Sequence, residues 1–132
     1  MPIVLPPDLS PPGPCNVFEE HRFSVVATCG SSVLSKVFAR NCTFVRNSAG
    51  NYTLTLPQNY RMVTGLSWAM RSASGAVYIL VLKTDTASTD GELVFEVRTE
   101  AGVATDPASG DKLYITVWAS RNFLNDAFEK TV

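Results

Sequence analysis

Few side chains in this chain are of the kinds that make or break bonds. The single histidine is His21, directly preceded by Glu19 and Glu20. A Glu-Glu-His run offers three possible metal ligands, but sequence neighbours need not converge on one ion, and a solvated connector is the plainer reading. A Ser-His-Asp triad would have to use the same histidine, beside a proline-rich terminus that is poor footing for a preorganised base. The chain has no G-x-S-x-G elbow, no Walker loop and no G-x-G-x-x-G.

The acids Asp85, Asp90, Asp106 and Asp111 fall at the ends of apolar runs or between them. Such carboxylates could line a calcium site or pair for hydrolysis. No D-x-D-x-D-G loop is present, however, no pair stands at a useful spacing, and aspartate favours turns for its own hydrogen bonding. Cysteines occur at 15, 29 and 42, an odd number without a C-x-x-C. That argues against a disulfide framework and a zinc site, and fits assembly in a reducing cytosol. The expectation is a non-enzymatic protein with no catalytic residue, no metal and no cofactor.

The elements that would have to position any site are strands. At 132 residues the chain is one domain's length, with room for a hydrophobic core. Ala76–Leu82 is apolar throughout except for the Tyr78 hydroxyl, as expected of a strand covered on both faces. In the next run Leu93, Phe95 and Val97 alternate with Glu92, Glu96 and Arg98, which predicts one dry and one wet face. Leu113–Trp118 follows as a strand with Leu113, Ile115 and Val117 on one side and Tyr114, Thr116 and Trp118 on the other. Upstream, strands are expected at Phe23–Thr28, Cys42–Arg46, Asn51–Leu56 and Met62–Arg71, the middle two joined as a hairpin by Asn47–Gly50. Val33–Ala39 reads equally as a strand or as a helical turn or two. Seven or eight strands at this spacing predict an all-β fold, a β-sandwich with jelly-roll connections as one of its forms.

The expected organisation is an extended proline-rich arm and connector over 1–20, a sandwich over 21–121, and a tail over 122–132 that could form a short helix on Phe123, Leu124 and Phe128. Six of the eight prolines lie between Pro2 and Pro14. Proline fixes φ and removes a donor, so this arm is extended and polyproline-like. Its apolar residues Ile3, Val4, Leu5 and Leu9, with Pro6 and Pro7, suit an arm that lies on a neighbour; a loose terminus is the alternative. Met1–Pro7 has neither a basic start nor an unbroken apolar core, so no secretion signal is expected.

Lysine plus arginine is 11 and aspartate plus glutamate 12, a balance that gives no reason to expect nucleic acid or membrane as a partner. The distribution is uneven. From His21 to Thr84 there are seven basic residues and no acid; from Asp85 onward nine acids face four bases. Folding either keeps two signs on the surface or mixes them, depending on how strands of the two halves interleave. Tyr78, Leu80, Leu82, Tyr114 and Trp118 are the expected oligomer contacts, because exposed aromatic and apolar sheet surface most often meets protein.

The segment Arg46–Leu56 resembles the R-x-x-x-G-x-Y-T-x-x-L hairpins of small tailed-bacteriophage virion proteins. Asp90–Thr99, then Gly102–Pro107 with its G-x-x-x-D-P, is similar to their closing strands, and the resemblance covers roughly 41 to 119. It implies a structural β-domain, often trimeric, of the capsid decoration (cement) or tail-fibre type. A single compact domain with a docking arm and no shaft suits a cement protein. The partners it implies are copies of the same chain and a major capsid or other virion protein, in a virion assembled in the host cytoplasm. The alternative is a tail-fibre or tail-tip module that binds a host receptor or glycan through Trp118, Tyr114 and the aspartate loops.

Overall fold

A computed structural model describes residues 20–121 of the chain. The arm residues Ile3, Val4, Leu5, Pro6, Pro7 and Leu9, Cys15, Glu19 and the tail from Asn122 lie outside the described residues. Eight strands make up the rest: β1 (Glu20–Gly30), β2 (Val33–Arg40), β3 (Thr43–Ser48), β4 (Asn51–Thr55), β5 (Met62–Arg71), β6 (Tyr78–Thr86), β7 (Glu92–Thr99) and β8 (Lys112–Ser120). The ambiguous run after Ser32 is a strand. Its β-branched and aromatic residues, Val33, Val37 and Phe38, suit a pleated surface better than a helical turn.

The strands form two antiparallel four-stranded sheets, ordered β2-β1-β8-β5 and β3-β4-β7-β6, stacked as a β-sandwich. Three of the seven connections, β1–β2, β3–β4 and β6–β7, are hairpins that stay within one sheet. A jelly roll sends consecutive strands alternately between its sheets; here the remaining four connections do so.

Alternation decides which side chains enter the sandwich. From the first sheet come Phe23, Val25 and Ala27 of β1 with Leu113, Ile115, Val117 and Ala119 of β8, all buried. From the second come Tyr52 and Leu54 of β4 with Leu93, Phe95 and Val97 of β7. The two central strand pairs therefore supply most of the dry interior, with Phe44, Leu56, Tyr60 and Ala87 completing it. Phe44 stacks on Tyr52 at 5.5 Å and 8° between planes, and Phe23 meets Tyr60 edge-on at 5.4 Å.

The apolar run at Ala76–Leu82 departs from expectation. The strand begins at Tyr78 and is an edge strand, covered on its inner side only. Tyr78, Leu80 and Leu82 pack on the rim of the core, while Ile79 on the other side is 44% exposed. Hydrophobicity alone does not distinguish an edge strand with a bare apolar flank from a central strand between two layers.

Candidate functional site

The resemblance motif turns out to converge on one carboxylate. Arg46 donates to Asp106 from Nε at 3.0 Å to Oδ1 and from Nη2 at 2.8 Å to Oδ2. The Gly50 amide and the Tyr52 hydroxyl each donate to Asp106 Oδ1 at 3.0 Å. The arginine, glycine and tyrosine of R-x-x-x-G-x-Y thus bind the aspartate of D-P, which pins the 100–111 loop onto the β3–β4 hairpin. The Arg46 hydrogen bonds are the main reason that the Asp106 carboxyl is held below the usual aspartate range. Burial, aided by the hydrogen bond to Asp106, pushes the Tyr52 hydroxyl up.

The other acids have local duties as well. Asp111 is fully buried and accepts from the amides of Ala73 and Ala108 at 3.0 and 3.2 Å. Asp85 accepts from the Ala87 amide at 3.1 Å, and Asp90 from the Glu92 amide at 3.2 Å and the Thr86 hydroxyl. His21 lies in a polar cavity of about 500 Å³ with its Nδ1 3.2 Å from the Tyr60 hydroxyl. Glu20 receives the Thr64 hydroxyl. Among the described residues, no three His, Cys, Asp or Glu side chains gather as a metal site would require.

The five expected oligomer contacts are not on one surface. Tyr78, Leu80 and Leu82 face inward from β6, and the Tyr78 hydroxyl accepts from the Ala108 amide at 3.2 Å. They share an open side of the sandwich with the inward row of β5, where Leu66 and Trp68 stand opposite the core residues Val117 and Ile115. Leu66 and Trp68 are nevertheless 36% and 39% exposed, because β5 and β6 each end a sheet and, among the described residues, no further strand closes the side between them. On the other side, β2 and β3 border a groove of about 330 Å³ that includes Val33, Val37, Phe44 and Val45.

Tyr114 and Trp118 point away from the core, on the outer face of β2-β1-β8-β5. Strand register lays this face out in rows. Lys36, Thr28, Lys112 and Arg71 form one; Phe38, Val26, Tyr114 and Ala69 the next; Arg40, Ser24, Thr116 and Ser67 a third; Arg22, Trp118 and Gly65 a fourth. The Trp118 ring lies over Gly65, where an added Cβ would stand 3.2 Å from its Cε3. Phe38 is 62% exposed and Tyr114 39%.

Charge is sorted between the faces after all. Arg22, Lys36, Arg40, Arg71 and Lys112 share the outer face of the first sheet, with Glu20 at its far end. Among the described residues none of these five bases makes a salt bridge. On the second sheet the bases are paired: Arg46 with Asp106, and both Lys83 and Arg98 with Glu96. Sequence reasoning missed Lys36, Phe38 and Arg40. The available signal was their period of two, cation–aromatic–cation on one side of β2, hidden while that segment could equally be helical.

No family model matches the chain, and neither a curated protein nor a solved structure matches it.

Proposed function

We propose that this chain is a non-catalytic assembly module of a virion: a capsid decoration protein that associates with copies of itself and attaches to the shell through its proline-rich arm. The observation that carries this reading is the open side between β5 and β6. Leu66 and Trp68 point toward the core yet remain more than a third exposed, facing the rim formed by Tyr78, Leu80 and Leu82. Inward-pointing apolar side chains left in water favour burial against a second copy, at about 25 cal/mol for each Å² removed from solvent. The engagement of Asp85, Asp90, Asp106 and Asp111 in turns and clamps supports a structural over a hydrolytic role. Asp106 and Asp111 are committed to these clamps, which leaves the glycan-binding alternative only the exposed Asp85 and Asp90 among these four carboxylates.

Sedimentation of the full chain across a dilution series tests self-association. An oligomer is expected that Trp68→Ser and Leu80→Ser weaken; a monomer at every concentration removes the open side as an interface. Deleting residues 2–14 tests the arm: the truncated chain should fold but be missing from purified particles. Its undiminished incorporation would end the cement reading.

A further inference from the structure

The outer face of β2-β1-β8-β5 combines unneutralised cations with exposed rings, and we infer that it binds single-stranded nucleic acid. The inference does not depend on the assembly reading, since it uses a different surface. The row of Phe38, Val26, Tyr114 and Ala69 is apolar and central. Lys36, Lys112 and Arg71 border it on one side, and Arg40 and Arg22 lie on the other. With neighbouring strands about 4.8 Å apart, Phe38 and Tyr114 present their rings about 10 Å from each other across Val26.

That layout matches a flexible polyanion with flat apolar units along it. Phosphates meet the two cationic margins while bases stack on the rings between them, and the serine and threonine hydroxyls of the third row offer further hydrogen bonds. An acidic protein surface would satisfy the cations and leave Phe38 and Tyr114 without a counterpart. A second copy docked face to face would set five cations against five. The near-zero net charge gave no reason to expect nucleic acid because it averages two unlike faces. On the second sheet Asp106 and Glu96 offset most of the charge of Arg46, Lys83 and Arg98, whereas the five bases here have no salt-bridge partner among the described residues.

The test is fluorescence anisotropy of a labelled oligothymidylate of about 20 nucleotides with the full chain. If the five bases each neutralise a phosphate, raising salt from about 50 to 200 mM should weaken binding roughly 100-fold. Phe38→Ala and Tyr114→Ala should each weaken it about tenfold, while Tyr114→Phe, which keeps the ring, should bind as the parent does. Lys36→Glu with Lys112→Glu should reduce binding and flatten the salt dependence. Both rings are well exposed, so these substitutions leave the fold in place, and circular dichroism verifies it. Three results would overturn the proposal: no binding at low salt, binding indifferent to both ring removals, or tighter binding to polyglutamate or duplex DNA than to the single strand.

Discussion

A Cβ placed on Gly50 would lie 2.6 Å from the backbone nitrogen of Thr105, in the loop that crosses the β3–β4 hairpin. Gly50 has φ +74°, and its carbonyl accepts from the Val97 amide at 2.7 Å. The obstruction is backbone that is itself bonded, since the Thr105 amide donates to the Val97 carbonyl at 3.0 Å. Gly50→Ala therefore combines a left-handed conformation with a clash that cannot be relieved by a rotamer change. A loss of about 2 kcal/mol or more is expected, read from urea unfolding. Gly75→Ala is the control: it carries the same sign of φ, but nothing lies within 4 Å of an added Cβ.

Asp106 gives the fold an acid limit. Its folded pKa lies below the ordinary 3.8, chiefly through the Arg46 hydrogen bonds. A depressed carboxylate contributes stability that is complete above its unfolded pKa and is lost as pH falls through the folded value. The unfolding midpoint should thus drop in acid below about pH 4. Asp106→Asn should be less stable at neutral pH, by on the order of 2 kcal/mol, and should show a shallower decline in that window. Glu96, whose carboxyl is lowered first by its hydrogen bond from Arg98, has the same sign and contributes to the slope that remains.

The dry face of the second sheet and the outer face of the first should respond very differently to truncation. Phe95, fully buried between the sheets, should cost about 3–5 kcal/mol as Phe95→Ala. Phe38, 62% exposed on the outer face, should change stability by no more than about 0.5 kcal/mol as Phe38→Ala. Paired urea titrations measure both. A large loss at Phe38 would mean that its ring is buried in the native protein, and the free outer face would be withdrawn.

The sandwich was legible wherever period-two alternation was strict. Leu93, Phe95 and Val97 against Glu92 and Glu96 fix which way β7 faces, and Leu113, Ile115 and Val117 do the same for β8. Legibility failed where the environment rather than the pattern decides. The apolar Tyr78–Leu82 segment reads as doubly covered because an edge position leaves no mark in hydropathy. The cationic face was hidden because Lys112 is far in sequence from Lys36, and only the insertion of β8 between β1 and β5 brings them into one row. Arg46, Gly50 and Tyr52 were visible as a hairpin motif, but their shared acceptor lies more than fifty residues away.

Cys29 supplies an alkaline counterpart to Asp106. Burial, reinforced by the nearby Asp111 and Asp106 carboxylates, pushes its thiol from 9.0 up to about 11. The residue is also held at the backbone, with its amide donating to the Asp111 carbonyl at 2.8 Å and its carbonyl accepting from Gly110 at 2.7 Å. A raised thiol pKa means stability that is intact below 9.0 and lost as pH rises through about 11, because the unfolded chain gives up the proton more readily. Only the thiolate alkylates quickly, so at about pH 8 iodoacetamide should label Cys29 far more slowly in the folded protein than in urea. Cys42, half-buried and also raised by burial, should be slowed too. Peptide mapping by mass spectrometry separates the two sites. Equal labelling of Cys29 with and without urea would mean that the β1 end and the 107–111 loop open readily, and the tether through Asp111 would have to be abandoned.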